Sequence, residues 1–246
     1  MMDKILIVGA TSAIAHATAR HFAHDGAHFH LIARNAEQLQ AVADDLRAHG
    51  AANVSTAVLD LNDTDAHQAA LDTAVRELGG LDVLFIAHGA LGDPIASAKD
   101  YAVALDVLQT NFLSAVSMLT VAGAYFEQQR RGIIAVISSV AGDRVRASNT
   151  VYGAAMAAKT GYLSGLRNRL SKRGVTVITI KPGQVSSPMT AHMKQGLTFA
   201  KPEQVGHDIY RAMKRGQTVV YTPGYWRYLM LIIRAIPEGI FKRLNL

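Results

Sequence analysis

Tyr152 and Lys159 stand seven residues apart in the segment 151–159, VYGAAMAAK, with Met156 between them. A phenol and an ammonium on one helix are materials for moving a proton to or from an oxygen. A free tyrosine, with a pKa of about 10, is a poor base at neutral pH, and a neighbouring cation lowers that value. Spacing decides whether the cation is a neighbour. Along an α-helix a step of four turns a side chain by about 40° and advances it about 6 Å; a step of seven turns it by about −20° and advances it about 10.5 Å. Met156 takes the four-residue position. Lys159 shares the tyrosine's face about a turn too far along, from which a long side chain leaning toward the helix N-terminus reaches back. The plainer expectation for Lys159 is a surface lysine. Two further polar groups belong to the pattern: Ser139, thirteen residues before the tyrosine at the end of an apolar run, and Asn111 in a long helical stretch.

The elements that must position these groups alternate. The apolar runs KILIVGA, HFHLIAR, VSTAVLD, LDVLFIAHG, GIIAVISS, GVTVITIKP and QTVVYTP read as strands. Helical periods lie between them, at about 12–24, 37–49, 63–78, 99–129 and 152–172. Pro202 opens another helix, and the tail is helical. Strands that are apolar on both faces and alternate with helices require a parallel sheet covered on two sides. No gap for a domain boundary, no repeat and no low-complexity segment is visible. The expectation is one α/β domain over 1–246, a doubly wound parallel sheet of about seven strands with helices on both faces, with an amphipathic helical tail over 225–246. Ligands of such sheets bind beyond the C-terminal strand ends, where the strand order reverses.

The residues just after the strands are therefore the candidates. After the first strand, Gly9 supplies a tight turn and Thr11 and Ser12 cap the helix or bond phosphate oxygens. The backbone amides of the following helix start, Ala13 and Ile14, suit a pyrophosphate. Ala13 and Ala15 stand where a glycine-rich fingerprint has its second and third glycines, so close approach is strained rather than excluded. The second strand ends Ala33-Arg34-Asn35, with no acid before Glu37. An acid there would bind the ribose hydroxyls of NAD, whereas an arginine suits a 2′-phosphate, which reads as NADP(H) in preference to NAD(H). A solvated surface arginine is the plainer alternative. Asp60 and Leu61, after the third strand, meet an adenine, or Asp60 caps the next helix. The fourth strand ends Ala87-His88-Gly89, and the sixth ends Pro182-Gly183, with Val185 two residues on.

Taken together, VGATSAIA, Asp60, AHG at 87–89, Asn111, ISSVAG, Tyr152 with its serine spacing and PGQVSSPM resemble the short-chain dehydrogenase/reductases over essentially the whole length. The resemblance implies a Rossmann fold and an oxidoreductase that reduces a ketone or oxidises a secondary alcohol with a nicotinamide cofactor. It also implies a homo-oligomer, commonly a dimer or tetramer. By position it implies that Ser139 holds the substrate oxygen, Tyr152 gives or takes the proton beside the cofactor, and Asn111 supports a water-linked relay. The family's lysine, four residues after the tyrosine, binds the nicotinamide ribose and lowers the tyrosine pKa. Here Met156 occupies that place, and Lys159 is the candidate substitute. AHG replaces the family's usual Asn-Asn-Ala-Gly, and the expectation for His88 is a solvated or hydrogen-bonded ring, with a pH-sensitive contact as the sharper alternative. Two readings follow: a working enzyme, or an NADP-binding protein with weak or no catalysis because of Met156.

The stretch SSVAGDRVRASNTVYG and the tail resemble the branch that includes decaprenylphosphoryl-2-keto-pentose reductase, which acts on a lipid-linked sugar. The expected partner is a small-molecule or lipid-linked carbonyl or alcohol. In the tail, Trp226, Tyr228, Leu229, Ile232, Ile233, Ile236 and Phe241 interleave with Arg227, Arg234, Lys242 and Arg243, which suits a membrane surface or a lipid phosphate. Packing on the cleft or an oligomer interface is the plainer expectation. Arg144 and Arg146, between Ser139 and Tyr152, face an anionic substrate or solvent.

Composition narrows the alternatives. The 246 residues are half hydrophobic, carry a net charge of +6 and include no cysteine, which excludes disulfides and thiolate metal sites. His16, His21, His24, His28 and His30 cluster without ligand spacing, so no metal is expected. The basic residues are spread along the chain with no stacking module, so no nucleic acid is expected. No secretory segment and no apolar run of membrane-spanning length is apparent, and the expected location is cytoplasmic, with membrane association through the tail.

Overall fold

The computed structural model describes residues 2–191, 196 and 198–244. Eight positions of the expected domain, 1, 192–195, 197, 245 and 246, the last two also in the expected tail, lie outside the described residues. Seven strands form one parallel sheet: β1 (Lys4–Val8), β2 (His28–Ala33), β3 (Asn53–Val58), β4 (Val83–Ile86), β5 (Gly132–Ile137), β6 (Val175–Pro182) and β7 (Val219–Thr222). Their order is β3-β2-β1-β4-β5-β6-β7. Strand order reverses between β1 and β4, which pair from Ile5↔Val83 to Val8↔Ile86.

The period-two pattern of the strands sends alternate side chains to two cores. Ile5 and Ile7 face α1 (Ala13–His24), α2 (Ala36–Ala48) and α8 (Pro202–Lys214). Leu6 and Val8 face α3 (His67–Leu78), α6 (Ser114–Gln129) and α7 (Thr150–Ser171). Between β4 and α6 lie α4 (Pro94–Ser97) and α5 (Tyr101–Leu108), and the chain ends in α9 (Trp226–Ala235) and α10 (Glu238–Phe241).

Three expectations are corrected. The helical stretch at 99–129 is not uniform: α5 passes through a π turn, Gln109–Leu113, into α6. Taken together, Tyr101–Gln129 is long and apolar enough to cross a membrane, although no such run was expected. Met118, Leu119, Ala122 and Phe126 are fully buried against the sheet, so one face is that of a core helix, while Tyr101, Leu105 and Leu113 are exposed. The third helix begins at His67, after a 3-10 turn at Thr64–Ala66, and Asp60 caps neither; its Oδ1 accepts from the Asn62 amide at 3.0 Å.

The close crossing of α1 and α8 rests on Gly206. A Cβ there would lie 2.7 Å from the Ala17 carbonyl carbon and 2.8 Å from the Thr18 nitrogen, both rigid backbone. Gly206→Val should therefore destabilise the fold by about 1–3 kcal/mol through overpacking. Urea denaturation reads this directly, and an unchanged midpoint would contradict so tight a crossing.

Candidate active site

A cavity of about 750 Å³ opens beyond the C-terminal ends of β1, β4, β5 and β6. One end is built by the turn after β1. Gly9 has φ +84°, and a Cβ there would lie 2.5 Å from the His88 nitrogen, so the position requires glycine twice over: for its left-handed backbone and for the approach of the next strand's loop. Ser12 is the N-cap of α1, but its side chain makes no cap hydrogen bond. The amides of Ala13 and Ile14, at the cavity wall, have no intrahelical acceptor because they belong to the first turn. Ala15 is buried in the core, so the methyl that replaces the third glycine is absorbed by packing. Arg34 is exposed at the cavity rim, while Asn35 is spent capping α2 through Gln38. Asp60 and Leu61 line the same end.

The loop after β4 is held by two polar groups. Asn111, fully buried, donates from Nδ2 to the Ala90 and Val107 carbonyls at 2.7 and 2.8 Å, and its Oδ1 accepts from the Ala90 amide at 3.1 Å. Both of its side-chain donors are thereby used. Gly89 lies against it: a Cβ would sit 2.8 Å from that Oδ1. The Ser114 hydroxyl donates to the Thr110 carbonyl at 2.9 Å. Its proton being spent, it accepts from His88 Nε2 at 2.8 Å, and the imidazole Nδ1 is left as a buried acceptor without a protein partner. Burial, with the Lys159 charge next in weight, pushes the His88 pKa down to about 3. The ring is neutral at ordinary pH and hydrogen-bonded, so the structure favours the hydrogen-bonded ring over the pH-sensitive alternative.

On the other wall are Ser139, Tyr152, Met156 and Lys159. Ser139 follows β5, and its Oγ accepts from the Ala141 amide at 3.1 Å, which fixes the side chain. Burial raises the Tyr152 pKa, and hydrogen bonding with Ser139 opposes the rise. Met156 is buried, and its carbonyl accepts from Ser138 Oγ at 3.2 Å, tying β5 to α7. Lys159 is not a surface lysine: it is 1% exposed, and Nζ donates to the Ile137 carbonyl at 3.3 Å. No carboxylate pairs with it among the described residues, and burial lowers its pKa from 10.5 to about 7. Its Nζ sits at the C-terminal end of β5, and its charge adds to the depression of the His88 pKa.

The loop that connects Ser139 to α7 is fastened on three sides. A Cβ at Gly142 would lie 2.6 Å from the Met156 carbonyl carbon, so the loop rests on helix backbone. Asp143 forms a buried ion pair with Lys181 of β6 and accepts from the Tyr221 hydroxyl of β7 at 2.6 Å. Arg144 pairs with Glu238 at 2.7 Å, donates to the Ile236 carbonyl at 3.3 Å and lies 4.1 Å from the Phe241 ring centre. Arg144 thus holds the tail and is not a substrate-facing group. Arg146 does line the cavity. Trp226 and Met230 of α9 pack on Val140, so one face of the tail is a wall of the cleft. Trp226 Nε1 is buried without a partner, and a Cβ on Gly183 would fall 1.8 Å from it.

The catalytic and cofactor positions singled out from sequence, namely Gly9, Thr11, Ser12, Ala13, Ile14, Arg34, Asp60, Leu61, Ala87, His88, Gly89, Asn111, Ser139, Tyr152, Lys159, Pro182, Gly183 and Val185, border this one cavity. Asn149 and Gln184 also border it; both lie inside the stretches SSVAGDRVRASNTVYG and PGQVSSPM, but neither was singled out. Gly142 lay inside ISSVAG, but only the structure shows what it touches.

Comparison with known proteins agrees with this geometry. The profile of the short chain dehydrogenase family matches residues 3–198. An uncharacterized oxidoreductase of Mycobacterium tuberculosis strain H37Rv is 37% identical over 240 residues, 98% of this chain and 96% of the relative. An uncharacterized oxidoreductase of Streptomyces coelicolor is 36% identical over 242 residues, 98% of this chain and 95% of the relative. The crystal structure of levodione reductase superposes with a TM-score of 0.84 at 20% identity, over 93% of this chain and 98% of that one, a likeness of fold.

The buried ammonium has a measurable signature. The folded pKa of Lys159 lies below its unfolded value, so between pH 10.5 and about 7 the unfolded chain holds a proton that the folded chain lacks. Lowering the pH through that window weakens the fold by several kcal/mol at about 1.4 kcal/mol per tenfold change, and below it the deficit is constant. Lys159→Met should raise the urea midpoint at pH 7 and lose this advantage progressively toward pH 10. Parallel curves for the two proteins across the window would show that the lysine is solvated.

Proposed function

Because the chain belongs to the short-chain dehydrogenase/reductase family and is an oxidoreductase, we propose that it is an NADP(H)-dependent enzyme that interconverts a ketone and a secondary alcohol, working best toward reduction. One observation carries this reading: the Ser139–Tyr152 hydroxyl pair shares a cavity with the glycine turn after β1. The residues present fit a dinucleotide. The tight turn at Gly9 brings the start of α1 to the cavity wall, Ser12 and the Ala13 and Ile14 amides are free for phosphate oxygens, and His88 Nδ1 is an unpartnered buried acceptor for a ribose hydroxyl. Arg34, with no acid near the end of β2, supports a 2′-phosphate and so NADP(H) over NAD(H). When bound, the nicotinamide supplies or accepts the hydride.

Ser139, fixed by the Ala141 amide, donates a hydrogen bond to the substrate oxygen and supports the charge that develops there in reduction. Tyr152 delivers the proton to that oxygen. Its raised pKa keeps it a phenol, the form that a reduction requires and an oxidation does not. Lys159 replaces the missing lysine on the ribose side, where its ammonium finds hydroxyl acceptors and regains charge. With Met156 in the nearer position, the Tyr152 phenol keeps a raised pKa. Asn111 holds the loop after β4, and any relay through it runs by its main chain.

The cleft wall built by Trp226 and Met230 suits an apolar or lipid-linked substrate. The opposite face of α9 exposes Tyr228, Leu231 and Ile232 beside Arg227 and Arg234, which supports peripheral contact with an anionic membrane from the cytoplasm. Exposed Tyr101, Leu105 and Leu113 support a homo-oligomer through the α5–α6 face.

Absorbance of NADPH over a panel of ketones tests the enzyme reading. Tyr152→Phe should slow reduction by roughly 100-fold or more. Met156→Lys, by adding the nearer cation, should speed oxidation of alcohols at neutral pH. Arg34→Ala should erase the preference for NADPH over NADH. Tight NADPH binding with no carbonyl turned over by either the parent chain or Met156→Lys would establish the binding protein instead.

Sedimentation with anionic vesicles at low salt tests the tail. Loss of co-sedimentation is expected for Ile232→Glu combined with Leu231→Glu, and co-sedimentation that persists would place the contact elsewhere.

A further inference from the structure

Three observations meet at the substrate end of the cavity. First, Arg146 lines it with Ser139 and Tyr152, half-buried, and among the described residues its guanidinium has no hydrogen-bond or ion-pair partner. Its neighbour Arg144 is by contrast fully committed to the tail. Second, Asn149 borders the same space, with a buried Oδ1 that has no partner. Third, this wall is built from a stretch without acids. No Asp or Glu occurs between Asp143 and Glu203, and Asp143 itself is taken up by Lys181 and Tyr221. Among the described residues around the cavity, Asp60 is the sole carboxylate, at the far end beside Leu61, against the cations Arg34, Arg146 and Lys159.

A cation partly stripped of water and given no counter-ion is destabilising, and an oxyanion held by the planar guanidinium fork removes that penalty. Arg34 and Lys159 are accounted for by the dinucleotide. Arg146 lies on the loop between the two groups that hold the reacting oxygen and has no such assignment. We propose that Arg146, with Asn149 beside it, is the specificity subsite for an anionic group, a carboxylate or a phosphate, on the substrate whose carbonyl meets Ser139 and Tyr152. This rests on the carbonyl-reduction reading above. Arg146 forms the bidentate pair with the oxyanion. Asn149 bonds a polar atom next to it, so the substrate is selected by charge at one end and by its carbonyl at the other.

Trp226 is the chain's single tryptophan and lines this cavity, so its fluorescence reports binding without turnover. With NADP⁺ saturating, so that Arg34 is covered, the protein is titrated with levulinate and methyl levulinate, and with dihydroxyacetone phosphate and dihydroxyacetone. At least one anion should bind about tenfold or more tightly than its neutral counterpart, and the better pair tells carboxylate from phosphate. Arg146→Gln should abolish that advantage with NADP⁺ affinity and the circular dichroism spectrum unchanged, Arg146→Lys should retain part of it, and Arg34→Ala should retain all of it. An advantage that survives Arg146→Gln, or no advantage for either anion in the parent chain, overturns the proposal. NADPH oxidation on the same four compounds separates the two readings. Anions that bind through Arg146 without being reduced leave the subsite standing against the enzyme reading. Neutral ketones reduced without any anion advantage do the reverse.

Discussion

The chain leaves β1 and β4 in opposite directions, and this constraint makes the site. Crossovers between parallel strands are right-handed, so the segment after β1 covers one face of the sheet and the segment after β4 covers the other. The two strands pair directly, and the cavity opens beyond their ends. Every group with a chemical role comes to that crevice because it lies a few residues past a strand end or on the first turns of a helix that follows one. Gly9 and His88 show how tight the arrangement is: the loop after β4 touches the turn after β1 so closely that a methyl group has no room.

Electrostatics work against stability here. Lys159 is almost fully buried with only a long hydrogen bond to a carbonyl, His88 is kept neutral, and Tyr152 is kept a phenol. A fold selected for stability alone would have an apolar residue at 159, as it does at 156. The strain is contained because the surrounding contacts are strong: Ser138 ties β5 to α7, and Asp143 ties the serine loop to β6 and β7. These ties hold the Ser139 hydroxyl and the Tyr152 phenol in one orientation, so little reorganisation is needed when charge develops on a bound oxygen.

The tail completes the cleft rather than standing apart from it. Arg144 links the serine loop to α10 through an ion pair, a carbonyl and an aromatic ring, and α9 lays Trp226 over Val140 and Gly183. A single helix thus presents one face to the cavity and another, with exposed tyrosine and aliphatic side chains, to the outside. The cavity and the outer apolar face are therefore neighbours on one element.

By itself the sequence determined the seven-stranded parallel sheet, because strands apolar on both faces have only one stable environment, between two layers of helices. It also determined which strand ends carry chemistry, since Gly9, Arg34, His88, Ser139 and Pro182 each follow an apolar run. Helix breaks were less legible: the π turn at Gln109–Leu113 has no distinct hydrophobic period, and the 3-10 turn before His67 shares the composition of a helix start. The fate of individual cations was decided only by tertiary structure. Lys159 read as a surface residue, and Arg144 as facing substrate or solvent, because a charged side chain is exposed unless something distant in sequence encloses it. For Lys159 the contact is the end of β5, at Ile137, and for Arg144 the contacts are residues more than ninety positions away. Sequence spacing orders residues along one element; which charges lose their water depends on elements that meet only after folding.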